Sequence, residues 1–157
     1  REAHRVGVAE ASGVIAGYAV GQDISDRGVQ MRPPAPQFSL GKSFPGYAPV
    51  GPAVVTADEL ADPSALRISC SFTGPTAQAQ GVKEWTAQDG STGDMIFSVE
   101  RIISDLSQVV TLYPGDLIFT GTPAGVGMAR GVSIRPGDVM TTTIEGIGSI
   151  TTEFVAD

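Results

Sequence analysis

Cysteine and histidine are scarce in this sequence of 157 residues, which contains one of each, Cys70 and His4. One cysteine excludes an internal disulfide and a zinc site made of several cysteines, so we expect a cytoplasmic protein. A Ser-His-Asp or Cys-His mechanism would depend on His4, which lies in a polar segment at the start of the chain. Acid–base chemistry is therefore expected from carboxylates, lysine or metal-bound water.

Runs of basic residues and long apolar stretches are also missing. Ten basic residues face 17 acidic ones, for a net charge of -7, which disfavours binding to nucleic acid or to an anionic membrane surface. No apolar run reaches about 18 residues, the length that a membrane-spanning helix requires. An anionic substrate is still allowed, because one arginine and one lysine suffice for a small positive pocket. The chain shows no signal peptide, and since it begins with Arg1 rather than methionine, we expect residues to precede it.

The patterns that are present indicate one globular domain over residues 1–157, of the β-rich α+β class. Hydrophobic residues make up 41% of the chain and charged residues 17%, which is typical of a packed core rather than disorder. Leu66–Phe72 alternates apolar and polar residues and predicts a strand. Asp94–Val109 carries apolar residues near a 3.6-residue period and predicts the one main helix. Frequent Pro-Gly turns between short strands complete the α+β pattern.

Other segments carry weaker signals. Thr73–Gly93 is long, polar and without periodicity, which favours a functional or mobile loop. Cys70, inside the alternating run, is expected to be a buried strand residue rather than a catalytic thiol. Further short strands are expected at Ile15–Val20, Val50–Val55, Leu117–Thr120, Val139–Ile144 and Ser149–Val155.

Polar side chains of several kinds follow the apolar run Val14–Val20. They are Asp23, Ser25, Arg27, Gln30 and Lys42. This pattern indicates a buried strand that delivers polar groups to the rim of a site. The alternative is that Asp23 and Arg27 pair on a surface turn and that Lys42 is solvated. Asp23 is the type of oxygen ligand that Mg²⁺ or Mn²⁺ prefers, but no Glu-x-Glu pair accompanies it in the chain.

The loop Gly121–Gly127, with the sequence GTPAGVG, is a second candidate. The hydroxyl of Thr122 and the backbone N–H groups of such a loop can hold a carboxylate or phosphate oxygen. The loop lacks the Gly-Lys-Ser/Thr ending of a nucleotide-binding loop, which disfavours nucleotide binding. The alternative is a tight turn between strands.

Together these motifs resemble the fumarylacetoacetate hydrolase (FAH) family. The resemblance extends over nearly the whole chain, and its segments follow one another in the family's order. The matching segments are Val14–Arg27 (VIAGYAVGQDISDR), Phe38–Pro52 (FSLGKSFPGYAPVGP), Gln88–Phe97 (QDGSTGDMIF), Leu112–Gly127 (LYPGDLIFTGTPAGVG) and Arg135–Gly148 (RPGDVMTTTIEGIG).

The resemblance implies a mixed β-roll or β-sandwich fold, assembled as a homodimer or larger homo-oligomer. It implies Mg²⁺ or Mn²⁺ and a small 2-oxo or β-diketo acid substrate, with no nucleic-acid or membrane partner. The implied reaction is C–C bond cleavage through a metal-stabilised enolate, either hydrolysis of an acylpyruvate-like acid or decarboxylation of an oxaloacetate-like acid. Isomerisation or hydration of related dienoates is the alternative within the family.

The resemblance also assigns roles to residues. Asp23 corresponds to a metal ligand, and Lys42 to the catalytic residue beside the metal and the substrate. The substrate would be bound by Arg27, Gln30 and Thr122. The chain departs from the family pattern in several places. Gln22 replaces an asparagine, Asp26-Arg27-Gly28 replaces Ala-Arg-Asp, and the loop Thr73–Thr86 is longer than usual and lacks the common Asn-Gly-Glu turn. The family's Glu-x-Glu stretch and its His–Glu acid–base pair would lie upstream of Arg1. The chain is thus expected to be a catalytic domain without its N-terminal part, or a module that lacks the metal site and serves in oligomerisation.

Overall fold

The structure is a computed structural model that describes residues 1–156. Six strands form two antiparallel sheets, and the helices are short. The strands are β1 (Gly17–Gly21), β2 (Val50–Thr56), β3 (Arg67–Thr73), β4 (Glu84–Ser91), β5 (Val139–Ile144) and β6 (Gly148–Glu153). The helices are α1 (Val8–Ala11), α2 (Arg27–Gln30), α3 (Pro75–Ala79) and α4 (Val99–Ser107). The β-rich α+β class is confirmed, with α4 as the main helix.

The larger sheet has the strand order β4-β3-β5-β6, and every neighbouring pair is antiparallel. In the central strand β3, Cys70 and Phe72 are buried, and they pair with Thr142 and Met140 of β5. The alternation read from the sequence therefore reflects one face of β3 packed against the core. The smaller sheet is the pair β1-β2.

Two apolar clusters form the core. One lies on the larger sheet and comprises Ile24, Cys70, Phe72, Ala87 and Met140, with Tyr47, Trp85 and Phe154 packed against it. The other lies where the two sheets meet and is centred on Val20, Leu60 and Ile147. Among residues 1–156, the longest helix has nine residues, and none has the length and apolar character that a bilayer span requires.

The loop predicted at Thr73–Gly93 is wrong, because this segment contains α3 and β4. β4 is an edge strand of the larger sheet, so its polar side chains are tolerated at the surface. The pairing of β3 shifts from Gln88 to Thr86 between consecutive residues, which leaves Ala87 as a bulge. The bulge interrupts the two-residue period of the side chains, so the alternation of polar and apolar residues does not predict this strand.

Two other expectations need correction. Leu117–Thr120 does not form a strand in the structure. The main helix begins at Val99 rather than Asp94, because the Ser98 side chain caps it by accepting a hydrogen bond from the N–H of Arg101 at 3.3 Å. Asp94 instead closes a preceding 3₁₀ turn.

The turn Arg-Pro-Gly-Asp before β5 is built like the earlier turn Tyr-Pro-Gly-Asp, but its aspartate is buried. In both turns the aspartate carboxylate accepts the backbone N–H three residues before it, Arg135 for Asp138 and Tyr113 for Asp116, at 2.7 Å in each case. Asp138 is fully buried and also accepts the N–H of Thr76 at 2.7 Å and its hydroxyl. Asp138 therefore joins the start of β5 to the first turn of α3.

The two turns offer a matched test of this role. Asp138→Ala would leave the buried N–H of Thr76 and the part-buried N–H of Arg135 without their acceptor, and we expect it to lower the free energy of unfolding by about 3 kcal/mol. Asp116→Ala removes one exposed bond and is expected to cost about 1 kcal/mol. Urea unfolding followed by the fluorescence of Trp85 measures both values. Equal losses would contradict the buried junction.

Candidate functional site

The end of β1 is fastened to the larger sheet by a buried side-chain amide. Gln22 follows the last residue of β1 and is 4% exposed. Its Nε2 donates to Oγ1 of Thr142 on β5 at 2.9 Å, and its Oε1 accepts the hydroxyl of Thr152 on β6 at 2.6 Å. Both ends of the amide are satisfied, so the backbone that leads into Asp23 has a defined position.

The next residues form a cluster of opposite charges at the surface. Lys42 donates from Nζ to Oδ2 of Asp23 and to Oγ of Ser25, the latter at 2.9 Å. The side chains of Lys42 and Asp23 are 27% and 47% exposed. A half-exposed ion pair contributes little stability, so a ligand can replace it at small cost. The alternative in which Asp23 pairs with Arg27 on a surface turn is not what the structure shows.

Arg27 lies at the start of α2, where its partner is Gln30. Asp26 caps this helix by accepting the N–H of Val29 at 2.9 Å. The Nη1 atom of Arg27 donates to Oε1 of Gln30, which is 1% exposed. The Nε2 atom of Gln30 has no hydrogen-bond partner among the described residues. Gln30 thus supports Arg27 from behind and leaves one buried donor unsatisfied.

The loop that carries Thr122 rests on β4. Nε2 of Gln88 donates to Oγ1 of Thr122 and to the carbonyl oxygen of Pro123, each at 2.8 Å. Gly125 has a φ of +112°, and a Cβ atom there would lie 2.1 Å from the carbonyl oxygen of Ala87. Only glycine allows this close approach. The glycine-rich loop is therefore a fitted element of the site rather than a free turn.

A cavity of about 740 Å³ joins these segments, a volume within the range of small-molecule sites. Asp23, Arg27 and Thr122 line it, whereas Gln30 and Lys42 do not. Lys42 reaches the rim through its bond to Asp23. Apolar side chains also line the cavity, among them Ile24, Tyr47, Phe72, Trp85, Met140 and Phe154. The structure thus brings three of the five predicted site residues into one cavity and joins the other two to them by hydrogen bonds, Lys42 to Asp23 and Gln30 to Arg27.

The described residues do not complete a metal site. No group of three histidine, cysteine, aspartate or glutamate side chains lies close enough together in residues 1–156 to hold an ion. Asp23 offers a half-exposed carboxylate at the cavity, and the carboxylate of Asp26 is used as a helix cap. Asp23 is therefore the candidate carboxylate ligand among the described residues, and a site built from three carboxylates would need ligands from outside them.

Cys70 and His4 take no part in this cluster as acid–base groups. Cys70 is a buried strand residue, as expected; burial raises the pKa of its thiol, although a hydrogen bond with Thr142 partly opposes the shift. The imidazole of His4 bonds through Nδ1 to the hydroxyl of Thr111 at 3.1 Å and does not line the cavity. The thiol stays protonated at neutral pH, which makes it a poor nucleophile.

Sequence reasoning missed two residues that organise the site, Gln22 and Gln88. Gln22 was noted only as a departure from a family motif, and Gln88 only as the first residue of a matching segment. Their partners are more than 30 residues away along the chain. One signal was available in the sequence, because Gln22 directly precedes the candidate ligand Asp23. The contact of Gln88 with Thr122 appears only in the folded structure.

The chain is similar to a family of known proteins and to several named relatives. The family model for the C-terminal domain of fumarylacetoacetate hydrolase matches residues 1–155. Human mitochondrial oxaloacetate tautomerase FAHD2A is 42% identical over 143 residues, which cover 90% of this chain and 42% of the human protein. The chain thus spans less than half the length of that relative.

Solved structures agree in fold. The 2-hydroxyhepta-2,4-diene-1,7-dioate isomerase of Mycobacterium marinum is 37% identical with a TM-score of 0.81, and the match covers 99% of this chain and 54% of the isomerase. A fumarylacetoacetate hydrolase from Exiguobacterium antarcticum is 33% identical with a TM-score of 0.85, over 100% of this chain and 53% of the hydrolase.

The cytoplasmic location expected from the cysteine count is contradicted by these relatives. The human, rat and bovine oxaloacetate tautomerases are named as mitochondrial proteins. A low cysteine content indicates only that the fold does not rely on disulfides. It therefore does not distinguish one compartment without stable disulfides from another.

The environment of Cys70 makes a chemical prediction. Because burial shields the thiol and raises its pKa, iodoacetamide at pH 7.5 should alkylate Cys70 at least about tenfold more slowly in the native protein than in urea. Mass spectrometry of the peptide that contains Cys70 gives both rates. Similar rates in the two states would show that Cys70, which also lines the cavity, is open to solvent.

Proposed function

Because the chain belongs to the fumarylacetoacetate hydrolase family, we propose that it forms the catalytic domain of an enzyme that acts on a small 2-oxo or β-diketo acid with Mg²⁺ or Mn²⁺. The relatives are named for tautomerisation of oxaloacetate, isomerisation of a dienedioate and hydrolysis of fumarylacetoacetate. An enol or enolate beside a carbonyl group is common to the chemistry of these three reactions.

The observation that carries the proposal is the meeting of Asp23, Arg27 and Thr122 in one cavity, with Lys42 bonded to Asp23 at its rim. Arg27 and Thr122 offer a guanidinium and a hydroxyl to the oxygens of a substrate carboxylate. Gln30 orients Arg27 through its Oε1 atom. These groups would hold the acid end of the substrate and leave its keto group near Asp23 and Lys42.

Lys42 is the proton carrier in this proposal. Its ammonium group is held by Asp23 and Ser25, so it is oriented before the substrate arrives. A divalent ion at Asp23 would supply positive charge that stabilises an enolate. The ammonium of Lys42 would give a proton to the carbon of the enolate and become a neutral amine, and this amine would take up the proton that the enol oxygen releases; the same transfers run in reverse from the keto form.

A proton shift is the reaction that this chain's own residues support best. Tautomerisation or isomerisation of a 2-oxo acid needs one group that moves a proton, which Lys42 provides. Hydrolysis of a C–C bond also needs a base that activates water, and among residues 1–156 His4 is remote and Asp26 is engaged as a cap. C–C cleavage by hydrolysis or decarboxylation is the second candidate, favoured by the similarity to a fumarylacetoacetate hydrolase.

We also propose that the protein assembles as a homodimer or larger homo-oligomer. Large apolar side chains are strongly exposed around α4, such as Ile96 at 91% and Val109 at 84%. Apolar exposure on this scale is typical of surfaces that are covered in the working protein.

Light scattering on the purified full-length protein tests the assembly. We expect a mass at least twice that of one chain, because the surface around Ile96 and Val109 would bury in the contact. Ile96→Asp should shift the protein toward monomer. A monomer in the unchanged protein would contradict the proposal and would leave this surface to be covered within one chain.

The role of Asp23 can be tested with a matched carboxylate. Asp23→Asn should lower metal-dependent turnover of oxaloacetate and acylpyruvates by about 100-fold or more and weaken Mn²⁺ binding. Asp89→Asn is the control, because Asp89 lies in a comparable ion pair with Arg67 at 2.9 Å, half-exposed and outside the cavity. Turnover that is unchanged in Asp23→Asn would overturn the metal-ligand assignment.

Lys42→Met in the same experiment separates proton transfer from metal binding. We expect a large fall in kcat, while Mn²⁺ binding persists because the carboxylate of Asp23 is intact. Loss of Mn²⁺ binding with unchanged kcat at saturating metal would remove Lys42 from the proton-transfer role. A protein that binds no Mn²⁺ at micromolar concentration would instead support the oligomerisation module.

A further inference from the structure

The amide of Gln88 has only one orientation that satisfies its neighbours. Its Nε2 atom lies 2.8 Å from the carbonyl oxygen of Pro123 and 2.8 Å from Oγ1 of Thr122. A carbonyl oxygen can only accept a hydrogen bond, so the amide nitrogen must face Pro123. The same nitrogen carries two hydrogens, and the second is directed at Thr122. Gln88 is therefore a donor to the threonine hydroxyl and not an acceptor from it.

This polarity decides what the hydroxyl of Thr122 can do. A hydroxyl group has one hydrogen to donate and accepts through its lone pairs. Since Gln88 occupies an acceptor position, the hydroxyl hydrogen points to some other partner. Thr122 is exposed and lines the cavity. The hydrogen is thus available to an acceptor within the cavity, and a carboxylate oxygen accepts it more strongly than a neutral carbonyl.

The backbone around Gln88 and Thr122 keeps the two side chains in register. Gln88 follows the bulge at Ala87 on β4 and pairs with Cys70 of the central strand. A Cβ atom on Gly90 would lie 3.1 Å from Pro123, which shows how closely the loop follows the strand on this side of Gln88. On the other side the loop meets the carbonyl oxygen of Ala87 through Gly125. The donor and the hydroxyl are therefore held by close contacts between the strand and the loop on both sides.

We propose that Gln88 is a positioning residue that fixes the hydroxyl of Thr122 as a hydrogen-bond donor and so makes the site selective for a free carboxylate over its ester. The inference rests on the proposed function, in which Thr122 binds the substrate carboxylate. It adds a residue outside the set assigned above and gives it a distinct effect: discrimination between an acid and its neutral derivative.

The test compares acetylpyruvate with its methyl ester in the purified full-length protein. Gln88→Glu keeps the shape of the side chain but replaces the donor with an acceptor, so the threonine hydroxyl turns toward Glu. Gln88→Met removes the donor without adding charge. We expect KM for the acid to rise about tenfold or more in both variants, kcat to change little, and KM for the ester to stay nearly constant.

Two controls separate positioning from general damage. Gln108→Glu introduces the same charge outside the cavity, where Gln108 contacts the backbone oxygens of Val6 and Ser104, and it should leave the acid-to-ester ratio unchanged. In a Thr122→Val background, Gln88→Met should cause no further loss for the acid, because the hydroxyl that it orients is gone.

Measuring both binding and turnover distinguishes a failure of this inference from a failure of the proposed function. Calorimetric binding of acetylpyruvate is measured alongside turnover, so the role of Gln88 is decided even if the wild type is inactive. A wild type that turns over neither compound nor oxaloacetate would refute the proposed function. Equal losses for acid and ester in Gln88→Met, or acid binding that is unchanged by it, would overturn the positioning role.

Discussion

The buried amide of Gln22 is the interaction on which the arrangement of the site depends. It joins the end of β1 to both β5 and β6 through two threonine hydroxyls. A buried amide that lost either partner would carry an unsatisfied polar group, so these bonds oppose sliding of the small sheet along the large one. Asp23 follows immediately, and its position relative to the cavity is therefore set by the packing of the two sheets.

The remaining site groups differ in how firmly they are held. Thr122 is confined by β4 through Gln88 and the close approach of Gly125, and Arg27 is backed by a buried glutamine. Asp23 and Lys42, by contrast, form a partly exposed ion pair. The groups proposed to bind the acid end of a substrate are thus rigid, whereas the groups proposed to meet the changing charge can exchange partners.

The parts of the fold that were predictable from the sequence are those whose environment is regular along the chain. β3 is central and half-buried, so Leu66–Phe72 alternates clearly, and the strands of the closing hairpin were also found. β4 was missed because it lies at an edge and contains the bulge at Ala87. Asp23, Arg27 and Thr122 came from family motifs, and the structure brings them to one cavity. Gln88 was beyond prediction, since its role depends on a loop 34 residues away.

The bulge at Ala87 also constrains how this family member can change its length. Gln88 faces the glycine-rich loop because one extra residue precedes it on β4. Successive residues of a strand point to opposite faces, so a single insertion or deletion between the bulge and Gln88 would reverse every side chain that follows it. Changes in chain length are more easily accommodated in the turns that flank α3. The segment from Ala87 to Gly90 should instead tolerate substitutions but no change in length, because an insertion or deletion there would move Gln88 away from the loop.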